Sequence, residues 1–192
     1  NNTARQAQVA FAPTTFVTNV RTAVKANSGI TSVAQLKDKT VATTTGTTSV
    51  QLLRKHEKAN GVEFKELFGK DHADSFLLLE SGRADAFVMD DNILAGLIVN
   101  SKAPAEFKIV GESLSEEPIA IMIPKDDPAY KKLVDDAVIA LMKSGELDKI
   151  YTKWFMSPIP PRAATVGMAM SVSLKNAIAN PNDKPAETYK KQ

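Results

Sequence analysis

The residues best suited to chemistry fall in three short stretches. The first is the Thr-rich run 43–49, TTTGTTS, at the point where an expected strand gives way to an expected helix. Backbone N–H groups at a helix start are unpaired and lie at the positive end of the dipole, so a carboxylate or phosphate is welcome there. The hydroxyls of Thr47, Thr48 and Ser49 add donors. The dipole contributes about 0.3–1 kcal/mol and each charge-assisted hydrogen bond about 1.5–3 kcal/mol. An ordinary N-cap in a Thr-rich turn also accounts for the run, and from this segment alone it is the favoured reading. A Walker loop does not, because no lysine follows Gly46 at the required spacing.

The second stretch is Asp90-Asp91, at the carboxyl end of an expected central strand, where open α/β sheets place their ligands. One carboxylate there can hold a cationic group such as an ammonium, while the other caps the helix expected from Asn92. Asp90, nearer the strand end, is the better acceptor. The third is His72, in KDHAD at 70–74, after another strand. His56 is the only other histidine, and two separated histidines do not make a metal site. Taken alone, His72 reads as an exposed loop residue and His56 as a solvated helix residue. Arg5 is able to grip a carboxylate in bidentate fashion, although a single arginine is weak evidence.

Alternating patterns define the elements that must hold these residues. Strands are expected at 40–44, 62–68, 84–89, 107–110 and 119–123. Helices are expected at 50–60, closed by Gly61, from an Asp74/Ser75 cap to Gly82, and at 92–99. A short capped helix is expected at 31–36. Strands alternating with helices predict a parallel sheet built of βαβ units, and the Phe87-Val88-Met89 run suits a sheet covered on both faces. From 127 to 144, Leu133, Val134, Ala137, Val138, Ala140 and Leu141 recur at helical spacing, and a second helix follows at 146–155. Pro158, Pro160 and Pro161 then break regular structure, leaving a polar tail with a weak helical stretch at 174–179.

Composition narrows the class. The 192 residues are 43% hydrophobic and 24% charged, with mean hydropathy −0.17, the balance of a chain that buries a core. Lys and Arg number 24 against 22 Asp and Glu and are dispersed, so no basic stripe for nucleic acid is indicated. No run approaches the roughly 20 apolar residues that span a bilayer. The absence of cysteine excludes disulfides, thiolate zinc sites and a cysteine nucleophile.

In order along the chain, NNTARQAQVAF, TTTGTTSVQLL, KDHADSF, ESGRADAFVMDDNILAG, KWF, PIPP and PNDKP strongly resemble the periplasmic solute-binding proteins of ABC amino-acid importers, in the branch that takes glutamate or aspartate. The resemblance implies an α/β fold of the periplasmic-binding-protein-like type II, with two lobes joined by hinge strands and closing on one amino acid. Residues 23–116 would form a complete second lobe, 1–22 and 117–160 the remnant of a first lobe lacking its N-terminal part, and 161–192 a C-terminal tail. It implies that Arg5 grips the ligand α-carboxylate and that Thr48, flanked by Thr47 and Ser49, contacts the same group. Asp90 would bind the α-ammonium, Thr44 would lie near the ligand, and His72 would face a side-chain carboxylate. That last assignment reverses the reading of His72 as a plain loop residue.

The same resemblance implies a periplasmic location, a membrane permease as partner, and no metal, cofactor or catalysis. It also suggests that the incomplete lobe leaves the apolar faces around 133–141 and 11–17 without partners, so the chain is expected to self-associate. Two alternatives stand beside the binding function: a weakly binding or non-binding oligomeric fragment, and an enzyme like the cyclohexadienyl dehydratases, in which Asp90 or His72 would act as acid or base.

Overall fold

In the computed structural model, which describes residues 1–189, the chain runs α1 (Thr3–Gln6), β1 (Ala10–Phe11), β2 (Phe16–Lys25), a 3-10 turn (Val33–Leu36), β3 (Thr40–Thr44), α2 (Thr48–Asn60), β4 (Lys65–Gly69), α3 (His72–Glu80), β5 (Ala86–Asp90) and α4 (Asp91–Asn100). It continues through β6 (Phe107–Ile119), β7 (Met122–Ile123), α5 (Pro128–Lys143), α6 (Glu146–Tyr151) and α7 (Val172–Ala179). Two compact units result: Asn19–Ser115, and Asn1–Thr18 with Glu116–Gln192. The chain crosses between them inside β2 and again inside β6. The division falls at 18/19 and 115/116; residues 190–192 of the expected tail lie outside the described residues.

The unit 19–115 is built on a five-stranded sheet in the order β4-β3-β5-β2-β6. β3 is parallel to both β4 and β5, but β5 is antiparallel to β2, so the sheet is mixed rather than wholly parallel. The reason lies in the connections. Parallel neighbours need a crossover, usually a helix. α2 and α3 supply one after β3 and β4, whereas the link from β2 to β3 holds only the four-residue turn Val33–Leu36.

Both faces of this sheet are buried, as the continuous apolar run in β5 requires. Val20, Val24, Val41, Leu53, Ala86 and Val88 pack on the α2 side, and Ala23, Ala42, Phe76, Leu79, Phe87, Met89 and Leu94 on the α3–α4 side. Each fully buried Val, Leu, Met or Phe contributes about 1.5–3 kcal/mol.

Three local expectations shift. α2 begins at Thr48, inside the Thr-rich run, and ends as expected on Gly61, whose φ of +61° is the left-handed C′ conformation. α3 is capped by Asp71 rather than by the Asp74/Ser75 pair: Asp71 Oδ1 accepts from Asp74 N at 2.8 Å, and Asp74 Oδ2 accepts from Lys70 N at 3.1 Å. The strands expected at 107–110 and 119–123 are one long β6 and the two-residue β7. The polar stretch Glu112–Glu117 hid the pleat: Leu114, Glu116 and Pro118 are buried, and the residues between them are not.

The unit formed by both chain ends holds the two-stranded β1-β7 sheet and helices α5, α6 and α7. α6 widens into a π-type turn at Thr152–Met156, where the sequence suggested one continuous helix. Val138 and Met142 of α5 pack on Ala12, and Leu174 of α7 packs with Val17 and Tyr151. The weak helical stretch therefore buries its apolar side. By contrast, Leu133 is 66% and Leu141 42% exposed, as are Ile121 at 49% and Met122 at 64%.

Candidate functional site

The three parallel strands of the larger sheet finish at one edge. Thr44 is in register with Gly69, and Ala42 with Phe87, so β3 and β5 stop at nearly the same level, with Asp90 as the last residue of β5. Adjacent strands lie about 4.8 Å apart. The start of α2, the start of α3 and the β5–α4 junction are thereby gathered at the carboxyl edge of the sheet, the edge that open α/β sheets use for ligands.

Gly46, at φ +78°, makes the turn into α2. Thr47 occupies the N-cap but forms no side-chain cap bond; its Oγ1 donates instead to Thr44 O at 2.8 Å. α3 and α5 are both closed by an aspartate side chain, Asp71 and Asp127, and α2 is not. The amide end of a thirteen-residue helix thus lacks the acceptor its own N-cap could provide, which suits it to an external anion. Thr47 and Thr48 are half-buried. Ser49 has no exposed surface, and its Oγ has no partner among the described residues, so it is a packed residue of the α2 face and offers no open donor.

His72 is the first residue of α3 and half-buried, not part of an exposed loop. Its Nδ1 lies 3.0 Å from Thr44 Oγ1, and Thr44 Oγ1 lies 2.8 Å from Ser75 Oγ. Ser75 Oγ in turn stands 3.1 Å from Thr43 O and 2.9 Å from Asp71 O. Thr44 and Ser75 are buried, so Nδ1 is the inward nitrogen and Nε2 the outward one. Gly69 permits this arrangement: a Cβ built there would lie 2.2 Å from Ser75 Oγ and 2.5 Å from Ser75 N.

The two aspartates differ in the way the sequence could only suggest. Asp91 is tied into the sheet, with Oδ1 accepting from Asn19 N at 3.2 Å and Asn92 N at 2.8 Å, and Oδ2 from Asn19 Nδ2 at 3.2 Å. Asp90, half-buried at the N-cap position of α4, makes no side-chain cap bond.

One unit therefore collects Thr44, Thr47, Thr48, His72 and Asp90 at one edge. Arg5 belongs to the other unit, exposed on α1, with its N bonded to Asn2 Oδ1 at 2.9 Å. His56 is stacked on Phe64 at 6.4 Å between ring centroids, so it is partly packed and not simply solvated. Gly69 and Ser75 escaped sequence reasoning. The available signal was the i, i+3 spacing of His72 and Ser75, which puts both on one side of a helix. No cluster able to hold a metal ion occurs among the described residues, and none of their helices is long and apolar enough to cross a membrane.

Comparison with known proteins shows the family. Residues 1–157 match the family described as bacterial extracellular solute-binding proteins, family 3. The chain is 44% identical over 184 residues to the glutamate/aspartate import solute-binding protein of Escherichia coli K12, covering 96% of this chain and 61% of that protein. It is 42% identical over 187 residues to the L-glutamate/L-aspartate-binding protein of Pseudomonas aeruginosa, covering 97% and 62%. The chain thus spans about three-fifths of the length of these curated relatives. Among solved structures, the GluR0 ligand-binding core from Nostoc punctiforme in complex with L-glutamate superposes with a TM-score of 0.71 at 28% identity, covering 81% of this chain and 69% of that one. An ancestral arginine-binding protein bound to glutamine gives 0.71 at 33% identity, covering 81% and 67%. On these matches, and with a fold shared with those structures, the chain belongs to the bacterial extracellular solute-binding proteins, family 3.

Proposed function

We propose that this chain acts in the periplasm as the substrate-binding component of an ABC importer for acidic amino acids, capturing L-glutamate or L-aspartate reversibly and presenting it to a membrane permease. The observation that carries the reading is the convergence of opposite polarities at one sheet edge. Asp90, an acceptor when ionised, suits the α-ammonium; the α2 start, with Thr47 and Thr48, suits the α-carboxylate; and His72, beside Thr44, suits the side-chain carboxylate. Arg5 is proposed as a further carboxylate-binding residue, and Ser49 as support for the α2 start. The reading draws on the names of the relatives, which are transport-binding proteins and not enzymes. The dehydratase-like alternative would require Asp90 or His72 to give up these roles for proton transfer.

Isothermal titration with glutamate, aspartate, glutamine and arginine tests it. Heat with the two acids that disappears in His72→Ala is expected; no heat with any of the four overturns the reading.

A second reading is favoured by the apolar exposure of the unit built from both chain ends. There Ile121, Met122, Leu133 and Leu141 face solvent, and β1-β7 is only two strands wide. On this reading the chain self-associates through that unit, and sedimentation velocity should show mass rising with concentration; a constant monomer mass would reject it.

A further inference from the structure

The hydroxyl chain behind His72 fixes which ring nitrogen carries the proton, and this rests on the binding role just proposed for that histidine. Ser75 Oγ sits 2.9 and 3.1 Å from two carbonyl oxygens, Asp71 O and Thr43 O, atoms that can only accept. Its single hydrogen is therefore spent on this pair of carbonyls, shared between them, because otherwise its lone pairs would face both of theirs. Toward Thr44 it is left as an acceptor, so the Thr44 hydroxyl spends its one hydrogen on Ser75. Thr44 Oγ1 is then an acceptor toward His72, and Nδ1 must donate.

We infer that Ser75, acting through Thr44, is a positioning residue that holds neutral His72 as the Nδ1–H tautomer, so that its outward Nε2 donates to a ligand only when the imidazole is protonated. An acidic side chain cannot donate to Nε2 and needs a donor there. Its capture therefore takes up a proton. An amide side chain such as that of glutamine can donate its NH2 to the bare Nε2, so its capture does not.

The charged groups around the ring come from several elements. The turn before α3 and its first residues bring Lys70, Asp71 and Asp74, the two acids being engaged with Asp74 N and Lys70 N. The neighbouring β5 ends at Asp90, α4 begins with Asp91, which is bonded to Asn19, and β4 carries Lys65 and Glu66, the latter paired with Arg54. β3 presents hydroxyls only. Among the described residues no ion pair holds the ring.

Long-range 1H–15N spectra of the ligand-free chain at about pH 8, above the ordinary imidazole range, read the tautomer directly. The expected pattern is a protonated Nδ1 and a bare Nε2; a protonated Nε2 would overturn the inference. Calorimetry in buffers of different ionisation enthalpy should then show uptake of close to one proton with glutamate and none with glutamine. Equal proton uptake for both ligands would also overturn it. Ser75 is fully buried behind Thr44, yet Ser75→Ala frees the Thr44 hydroxyl to donate to Nδ1. In that variant Nε2–H should appear and glutamate-linked proton uptake should fall toward zero. Thr44→Val, of similar shape, should release the same tautomer if Ser75→Ala fails to fold. Absence of heat with every amino acid defeats the proposed function instead, while the spectrum still decides the tautomer.

Discussion

Asp90 and Asp91 are adjacent and chemically identical, and their surroundings give them different work. Asp91 accepts hydrogen bonds from Asn19 N, Asn19 Nδ2 and Asn92 N. Removing it should therefore lower stability by about 1.5–3 kcal/mol, the net range for a hydrogen bond to a charged group, read by urea unfolding. Asp90→Ala should instead weaken glutamate and glutamine by the same factor, because the α-ammonium is common to both. Losing one charge-assisted bond of about 1.5–3 kcal/mol corresponds to roughly 10- to 150-fold in Kd. Titration of both ligands checks it, and a loss confined to glutamate would show that Asp90 does not serve the ammonium. The sequence allowed this split without deciding it, since which acid reaches back to Asn19 depends on an antiparallel neighbour, β2, far away in the chain.

Gly69 ends β4 where α3 passes closest, and Ser75 N and Cα would lie 2.5 and 2.8 Å from an added Cβ. Those are backbone atoms that cannot swing aside. Gly69→Ala should cost about 1–3 kcal/mol through overpacking and displace Ser75 from Thr44, observable as a lower urea midpoint. Leu53→Ala on α2 should cost about 2–5 kcal/mol by leaving a cavity, since Leu53 is wholly buried beneath the sheet. Much at this level was legible in the chain itself: the β3-α2 and β5-α4 units, the Gly61 stop and the two-sided burial of Phe87 to Met89 all follow from spacing and turn chemistry. What was not legible depended on partners distant in sequence. The antiparallel β2, the single long β6 and the Asp71 cap, which took precedence over the equally plausible Asp74, are settled by tertiary packing. So is the burial of Ser49, whose neighbours in sequence are both half-exposed.

Across the unit formed from both ends of the chain, Lys131 is the main polar tie. Its ammonium meets Phe11 O at 2.9 Å, Asp135 at 2.9 Å and Asp183 at 3.2 Å. Burial works to lower its pKa, but the hydrogen bonds and charges of Asp135 and Asp183 outweigh it, and the net shift is upward from 10.5. A base whose folded pKa is raised contributes stability that is present in full below its unfolded value and is lost as pH climbs through the folded one. Lys131→Met should therefore lower stability near neutral pH by no more than about 1 kcal/mol, given the partial exposure of the pair. The difference from the parent chain should vanish in strongly alkaline buffer, as followed by thermal melts across pH.

Because the stretch from Asn19 to Ser115 is one uninterrupted insert, the other unit draws its strands and helices from both sides of it. Bringing the two sides together across a flexible loop of about a hundred residues costs roughly 4 kcal/mol in closure entropy. A folded insert removes most of that penalty, because Ser113 Oγ stands 3.1 Å from Asn19 Oδ1 and the entering and leaving strands already run side by side. The order of assembly follows: the insert matures first and the segments flanking it assemble afterwards. Pulse-labelling hydrogen exchange during refolding should find β3 and β5 amides protected before those of β1 and α7.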